Sequence, residues 1–101
     1  KPIQRNALIA LGHFRDRESV PDVVRVLRED PRPVLRMTAA WALGRIGGAE
    51  AEAALREAAA GDAEPEVRAA ASRALARLAQ ATAADRERME KVREQAEEDR
   101  E

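Results

Sequence analysis

The sequence predicts an all-α fold: a short α-solenoid made of a leading helix and two helical hairpins. The first observation is a repeat of 32 residues that relates segments 7–14, 39–46 and 71–78. The second is that other residues keep the same interval: Asp30 and Asp62, Pro33 and Pro65, Arg36 and Arg68. The third is a proline or glycine at nearly every predicted helix boundary. A fixed period of this length is typical of solenoids, in which each unit buries its apolar face against its neighbours.

The leading helix is predicted to start at Pro2, where the missing backbone N–H of proline is no loss. Its apolar residues recur at helical spacing and are expected to face the core: Ile3, Ala7, Leu11 and Phe14. The outer helix of the first hairpin starts at Ser19, an N-cap candidate. Four of its residues are expected to face inward: Val20, Val23, Val24 and Leu27.

The first hairpin turns at residues 30–33, because proline stops a helix and disfavours the α conformation in the residue before it. The inner helix of this hairpin is predicted over residues 34–46 and ends at Gly47 and Gly48. Its inward residues are Leu35, Ala39, Leu43 and Ile46. This helix should form the centre of the domain.

The second hairpin repeats the plan of the first. Its outer helix is predicted over residues 49–60, with Leu55 as the one large apolar anchor, and it breaks at Gly61. The inner helix runs from Pro65 to about Gln80. Its inward residues are Val67, Ala71, Leu75 and Leu78. Residues 1–80 therefore form the predicted repeat domain.

Residues 81–101 are predicted to be a charged tail, helical or frayed. Residues 82–85 resemble a capping box, with Asp85 where Glu or Gln is usual, so Thr82 is a predicted helix start. The tail has only Met89, Val92 and Ala96 as apolar residues at helical spacing. A solvated end helix is therefore favoured over a functional amphipathic one, and the tail should add little to folding.

Composition excludes several kinds of site. With no cysteine among 101 residues, neither a disulfide framework nor a thiolate metal site can form. No apolar run approaches the roughly 20 residues of a membrane span, and no signal peptide is visible, so a cytoplasmic location is expected. Residues 1–48 hold nine basic and five acidic residues, whereas residues 49–101 hold nine basic and fourteen acidic. The basic half points to a polyanion, although on charge alone chance unevenness is the favoured explanation.

Residues 30–47 resemble the HEAT-like repeats that are also found in phycobilin lyases. The resemblance implies a ladder of stacked Asp and Arg side chains, to which the pairs Asp30/Arg36 and Asp62/Arg68 fit. Residues 4–16 and 31–47 together resemble the C-terminal HEAT-like region of tRNA epoxyqueuosine reductases, and the resemblance covers about residues 1–79.

That family catalyses the last step to queuosine at the tRNA wobble position, with cobalamin and two iron–sulfur clusters in N-terminal domains. The resemblance implies that those catalytic domains are partners missing from this chain and that tRNA binding could carry over. Without cysteine no cluster can be ligated, and no catalytic constellation or metal site is visible. We therefore expect no cofactor in this chain, and whether it belongs to an enzyme stays open.

The candidate RNA-binding residues come from the face that the inner helices present to the concave side of such solenoids. Steps of four along a helix stay on one side, and the repeat carries the same face from helix to helix. They define a stripe of nine residues: Arg5, Ile9, His13, Met37, Trp41, Arg45, Ala69, Arg73 and Arg77. His13, Arg45 and Arg77 are equivalent positions in it and are expected to form a row. The stripe and the adjoining loop supply eight candidates: Arg5, His13, Arg15, Arg17, Trp41, Arg45, Arg73 and Arg77. Arginine suits phosphate, and an exposed indole can stack on a base. Arg73 and Arg77 rank second, because the acidic half surrounds them.

Bland interpretations of the same residues stay open. Trp41 could simply pack across repeats, His13 could be an ordinary surface residue, and the arginines could pair with glutamates at the edges of the units. A tRNA-binding accessory domain is the first functional hypothesis, and a protein–protein interaction scaffold is the alternative. A stand-alone enzyme such as a lyase is the least favoured.

Overall fold

Five α-helices and one short 3₁₀ turn make up most of residues 3–100, the part of the chain that the computed structural model describes. The elements are α1 (Arg5–His13), a 3₁₀ turn (Arg17–Ser19), α2 (Val20–Glu29), α3 (Pro33–Ile46), α4 (Ala49–Gly61) and α5 (Pro65–Asp99). Residues 3–100 contain no strand, so the predicted all-α fold is confirmed. The predicted start at Pro2 lies outside the described residues.

The helices form two layers. Helices α1, α3 and α5 lie side by side in the inner layer, and α2 and α4 pack against them on the outside. The central helix α3 contacts all four of the other helices. This is the predicted solenoid of a leading helix and two hairpins.

The core lies between the layers and follows the predicted faces in α2 and α3. All four inward residues predicted in each of these helices are buried, and Leu43 is completely inaccessible. Leu55 and Val67 fill the second hairpin. The predicted inward residues Leu75 and Leu78 are half-buried and pack against this core.

Helix α1 departs from its predicted face. Ala7 is exposed and Phe14 is 83% exposed, whereas Leu8 is fully buried. The equivalents of Ala7 and Phe14 in α3 are Ala39 and Ile46, which are buried in a helix that packs against α1 on one side and α5 on the other. Among the described residues no helix precedes α1, so the same positions have nothing to pack against. The prediction that they face the core is wrong for this reason.

Glycine allows the inner helices to approach closely. A Cβ atom on Gly12 would lie 2.6 Å from a ring carbon of Trp41, and one on Gly44 would lie 2.7 Å from the Cβ atom of Ala74. Both glycines occupy the same position of the repeat. Side chains at these two positions would push adjacent inner helices apart, so glycine sets the spacing of the inner layer.

Part of the polar ladder implied by the resemblance is present: one side-chain pair, Arg36 and Asp62, joins the two hairpins, whereas the expected pairs Asp30/Arg36 and Asp62/Arg68 meet through main-chain oxygens. The Arg36 guanidinium donates to both carboxylate oxygens of Asp62, at 3.0 and 3.2 Å, and to the main-chain oxygen of Asp30 at 2.8 Å. Arg68 donates to the main-chain oxygen of Asp62 at 2.7 Å. Each arginine therefore holds the turn of its own hairpin, and Arg36 also links that turn to the next one.

This ladder changes the acidity of Asp62. Burial alone would raise the pKa of its carboxyl, because the charged form loses hydration. Hydrogen bonds from Arg36 and from the Glu64 backbone N–H, together with the charges of Arg36 and Arg68, outweigh burial and lower the pKa. Asp62 is therefore ionised at neutral pH and ties the two turns together.

The 3₁₀ turn that precedes α2 is capped by Asp16, a residue that the sequence did not indicate. Ser19 already has a helical conformation, and its side chain makes no cap to α2. Its hydroxyl instead donates to the Asp16 carboxylate at 2.9 Å, and Asp16 also accepts the backbone N–H of Glu18 at 3.1 Å. The cap has therefore moved from Ser19 to Asp16, because the 3₁₀ turn adds residues before α2.

The predicted break before the charged tail is wrong. Helix α5 continues without interruption to Asp99, and Thr82 lies inside it, where its hydroxyl donates to the main-chain oxygen of Leu78 at 3.0 Å. Helix α3 ends because Gly47 and Gly48 adopt positive φ angles of 77° and 100°. The corresponding Ala79 and Gln80 favour helix, so α5 passes the same point.

The second half of α5 extends beyond the stack. At about 1.5 Å per residue, the 35 residues of α5 span roughly 50 Å, and the molecule is 61 Å long. Residues 85–100 are all exposed. No helix in the described part of the chain is long and apolar enough to span a bilayer.

Candidate nucleic-acid interface

A cleft of about 510 Å³ lies on the inner face and is bounded by α1, α3 and α5. Its lining residues are Arg5, Ile9, His13, Met37, Thr38, Trp41, Ala70, Arg73, Ala74 and Arg77. Five of the eight candidate residues are among them: Arg5, His13, Trp41, Arg73 and Arg77. The three inner helices thus bring cationic side chains and one indole together around an apolar floor.

Trp41 is fixed in the cleft by its neighbours on α1 and α3. The edge of its ring lies against Gly12, and the His13 imidazole meets it edge-on with ring centroids 5.8 Å apart. The Arg45 guanidinium lies 5.6 Å from the centroid of the indole. The indole therefore packs across the repeats and also lines the cleft, so the structural and the binding interpretations of Trp41 are both compatible with its position.

Arg45 does not line the cleft. Its Nε donates to the main-chain oxygen of Gly12 at 3.3 Å, which places it at the C-terminal end of α1. The expected row of three equivalent residues is therefore interrupted, because His13 and Arg77 reach the cleft and Arg45 turns toward α1. A cation at a helix C-terminus is favourable, so Arg45 stabilises the contact between α1 and α3.

Arg15 and Arg17 lie outside the cleft, in the connection between α1 and α2. Both are exposed, and Arg15 has a positive φ of 51°. They extend the cationic surface away from His13 but contribute no lining atom. The candidate set thus divides into five cleft residues, one packing residue and two loop residues.

Charge pairing separates the cleft arginines from those of the outer layer. Five arginines outside the cleft have a carboxylate within 4.0 Å: Arg25, Arg28 and Arg56 on the outer helices, Arg32 in the first hairpin turn, and Arg36 in the first turn of the inner helix α3. Within residues 3–100, no carboxylate lies that close to Arg5, Arg73 or Arg77. The glutamate pairing considered for the arginine stripe is therefore absent from the cleft in this part of the chain.

The sequence reasoning missed three of the lining residues. Thr38, Ala70 and Ala74 line the cleft, whereas the predicted stripe passed through Ala69. Thr38 and Ala70 are 32 residues apart, so the repeat itself contained the signal. A face one residue wider would have included both of them.

The lining of the cleft is cationic and apolar. It contains no carboxylate and no cysteine, and the Thr38 hydroxyl donates to the main-chain oxygen of Val34 at 2.9 Å. Among residues 3–100, no group of three or more His, Cys, Asp or Glu could hold a metal ion. Free guanidinium groups over an apolar floor suit an anionic ligand that carries a flat apolar group.

Epoxyqueuosine reductases of several bacteria are among the relatives of this chain. Epoxyqueuosine reductase from Bacillus cereus is 49% identical over 80 residues, which cover 79% of this chain and 21% of that protein. The enzyme from Listeria monocytogenes is 55% identical over 58 residues, which cover 57% of this chain and 15% of the relative. The chain thus spans about a fifth or less of these proteins.

Solved structures of epoxyqueuosine reductases are also similar to this chain. Epoxyqueuosine reductase from Bacillus subtilis has a TM-score of 0.70 and 40% identity, over 77% of this chain and 21% of that one. The same values hold for a crystal structure of epoxyqueuosine reductase with an epoxyqueuosine-modified tRNA-Tyr stem loop. The resemblance to this enzyme, first seen in residues 4–16 and 31–47, is confirmed. A family model described as HEAT repeats matches residues 1–76, and the chain belongs to the HEAT-repeat family.

Proposed function

We propose that the concave face binds tRNA and that this chain is a non-catalytic accessory domain for tRNA modification in the cytoplasm. The observation that carries the proposal is the set of cleft arginines without a carboxylate partner in the described residues, next to an outer layer whose arginines are paired. Guanidinium groups left free on one face are suited to phosphate, which they bind through two parallel hydrogen bonds.

The cleft has room for a nucleotide as well as a phosphate. Trp41 presents an aromatic surface, and Ile9 and Met37 add apolar contacts beside it. Single-stranded RNA is recognised mainly through unstacked bases that stack on aromatic side chains. The proposed ligand is therefore a tRNA loop, with phosphates at Arg5, Arg73 and Arg77 and a base against the indole.

The relatives support this substrate class. An epoxyqueuosine reductase of the same fold has been crystallised with a tRNA-Tyr stem loop. Because the chain spans only 21% of such an enzyme and its cleft has neither a carboxylate nor a cysteine, we infer that catalytic domains carrying the cofactors are its partners.

The test is binding of a fluorescent tRNA-Tyr stem loop, followed by anisotropy at low salt. The double variant Arg5→Glu/Arg77→Glu should lose at least about tenfold in affinity, since each lost charged hydrogen bond is worth about 1.5–3 kcal/mol. The control Arg25→Glu/Arg28→Glu reverses the same number of charges on the outer helix α2 and should change affinity little. Arg45 is unsuitable for reversal, because its contact with Gly12 also supports α1.

Salt dependence separates the proposal from a protein-binding scaffold. Each phosphate contact should add about 0.7–0.9 to the slope of log affinity against log salt, because bound counterions are released. A scaffold that grips apolar surface would show no such slope. Equal losses in the two double variants would mean that the attraction is general, and no binding at low salt would favour the scaffold.

A further inference from the structure

The projecting half of α5 carries an apolar seam at heptad spacing. Positions alternate three and four residues apart along one side of the helix: Leu75, Leu78, Thr82, Asp85, Met89, Val92, Ala96 and Asp99. Leu78 packs near Gly47 at the end of α3, and Leu75 and Leu78 both pack against the core. The seam therefore continues, toward the C-terminus of α5, the same face that packs against the stack in its first half. Beyond the stack, Met89 is 53% and Val92 59% exposed. This spacing is the pattern with which helices pair in coiled coils.

The positions that flank the seam are basic. At 100° per residue, Arg86, Arg93 and Arg100 follow one side of it, and Arg88 lies on the other. The glutamates lie on the remaining surface of the helix: Glu87, Glu90, Glu94, Glu97 and Glu98.

Two of the flanking arginines, Arg86 and Arg93, form no salt bridge with the glutamate one turn further along α5. Glu90 and Glu97 lie four residues after Arg86 and Arg93, yet neither arginine has a carboxylate of residues 3–100 within 4.0 Å. In α4, by contrast, Arg56 pairs with Glu52 across one turn at 2.7 Å. Arg86 and Arg93 therefore border the seam as cations that have no carboxylate partner within residues 3–100, whereas Arg88 on the other side lies 3.8 Å from Asp85 in an exposed pair.

These flanks argue against a second copy of the chain. In a parallel pair, Arg88 would face Arg93 of the other copy, and in an antiparallel pair Arg93 would face its own equivalent. Like charges at these positions are unfavourable. The charge complement of the seam is a helix with acidic flanks.

A polyanion or an anionic membrane fits the same surface less well. Residues 82–100 hold five basic and seven acidic residues, so the segment as a whole repels phosphate. The seam also has only three apolar side chains beyond the stack, Met89, Val92 and Ala96, which is little for insertion among lipids.

We propose that the projecting half of α5 is a docking helix for an amphipathic helix of another protein, one whose apolar seam is bordered by glutamate or aspartate. The contact is short, with Asp85 and Asp99 polar at either end of the apolar part. It therefore gives a weak and reversible interaction, set mainly by the choice of charges.

The experiment uses the full chain and two synthetic helical peptides of three heptads. Both peptides carry leucine along the seam, and they differ only in having glutamate or lysine at every flanking position. Anisotropy of the labelled peptides should show the glutamate peptide binding at least about tenfold tighter. Arg93→Glu should abolish the preference, whereas Lys91→Glu, the same charge change on another face of the helix, should leave it. Circular dichroism should show equal helicity in both variants.

Several outcomes would overturn the proposal. Equal affinity for the two peptides, binding of neither, or equal effects of the Arg93 and Lys91 variants would each show that the seam does not select acidic flanks. Dimers in analytical ultracentrifugation that Val92→Glu dissolves would assign the seam to a second copy. Co-sedimentation with phosphatidylserine vesicles that depends on Val92 would assign it to a membrane.

Discussion

Helix α3 and the half of α5 beyond Gln80 are both regular helices, but different forces hold them. Helix α3 lies among all the other helices and buries residues on every side, including Leu35, Ala40 and Leu43. The far half of α5 buries none. It continues because alanine, glutamate and arginine favour helix and no breaker interrupts them. A helix can therefore persist on local preference alone, whereas its place in the fold depends on burial.

The largest expected effect is at the centre of α3. Leu43→Ala removes a fully buried side chain and should lower the free energy of unfolding by about 2–5 kcal/mol. Val92→Ala shortens an apolar side chain on the projecting helix and should change the free energy of unfolding by less than about 0.5 kcal/mol. Arg45→Ala should fall between, at about 1 kcal/mol, because it loses one hydrogen bond. Guanidinium melts of the three variants measure this order, and equal losses would contradict it.

Helix spacing gives the next effect. Gly44→Ala would place a Cβ atom 2.7 Å from that of Ala74, so α3 and α5 must separate. We expect a loss of about 1–3 kcal/mol despite the better helix propensity of alanine. Gly61→Ala is the matched control, because no atom lies within 4 Å of its added Cβ. Thermal melts should show Gly61→Ala neutral or slightly stabilising, and a similar loss in both would exclude close approach as the cause.

Acid should loosen the stack before it affects the projecting helix. The pKa of Asp62 is lowered in the folded chain, so its pair with Arg36 contributes stability above the unfolded value of about 3.9. That contribution is lost as the pH falls through the folded value. Asp62→Asn should therefore cost about 1–3 kcal/mol at pH 7 and flatten the loss of stability below pH 4.

The control for this pH dependence is Asp85→Asn, which removes an exposed carboxylate of α5 outside the stack. Urea melts between pH 2 and pH 7 would compare the two variants. A profile for Asp62→Asn as steep as that of the unchanged protein would show that the ladder does not carry the acid sensitivity.

The smallest effect is expected from removing the projecting half of α5. Ending the chain at Gln80 leaves every buried residue in place, so the melting temperature should change by no more than about 2 °C. The helical signal should fall with the number of residues removed. A drop of many degrees in calorimetry would mean that this half of the helix supports the stack.

The sequence predicted best where local pattern and tertiary contact agree. The buried faces of α2 and α3 follow helical spacing, because both helices have neighbours that cover those faces. Phe14 and Ala7 fit the same pattern, but their burial depends on a preceding neighbour, and the described residues contain none for α1. Thr82 matched a capping pattern, yet a cap forms only where a helix begins, and nothing before Thr82 ends α5.

The candidate site was predicted in the same uneven way. Steps of four along each helix, repeated every 32 residues, found five lining residues of the cleft, among them Arg5, Trp41 and Arg77. The same steps could not separate Arg45 from His13 and Arg77. Arg45 turns away from the cleft because it donates a hydrogen bond to the main-chain oxygen of Gly12, and the spacing of residues along the sequence does not predict that bond.

The single indole in the cleft has a spectroscopic consequence. Trp41 is the only tryptophan of the chain and there is no tyrosine, so emission excited near 280 nm reports on one place in the molecule. A ligand that enters the cleft changes the surroundings of this fluorophore. The seam around Val92 contains no aromatic residue, so a helix that binds there leaves the surroundings of Trp41 unchanged. Intrinsic fluorescence therefore distinguishes the two binding surfaces in the unlabelled protein.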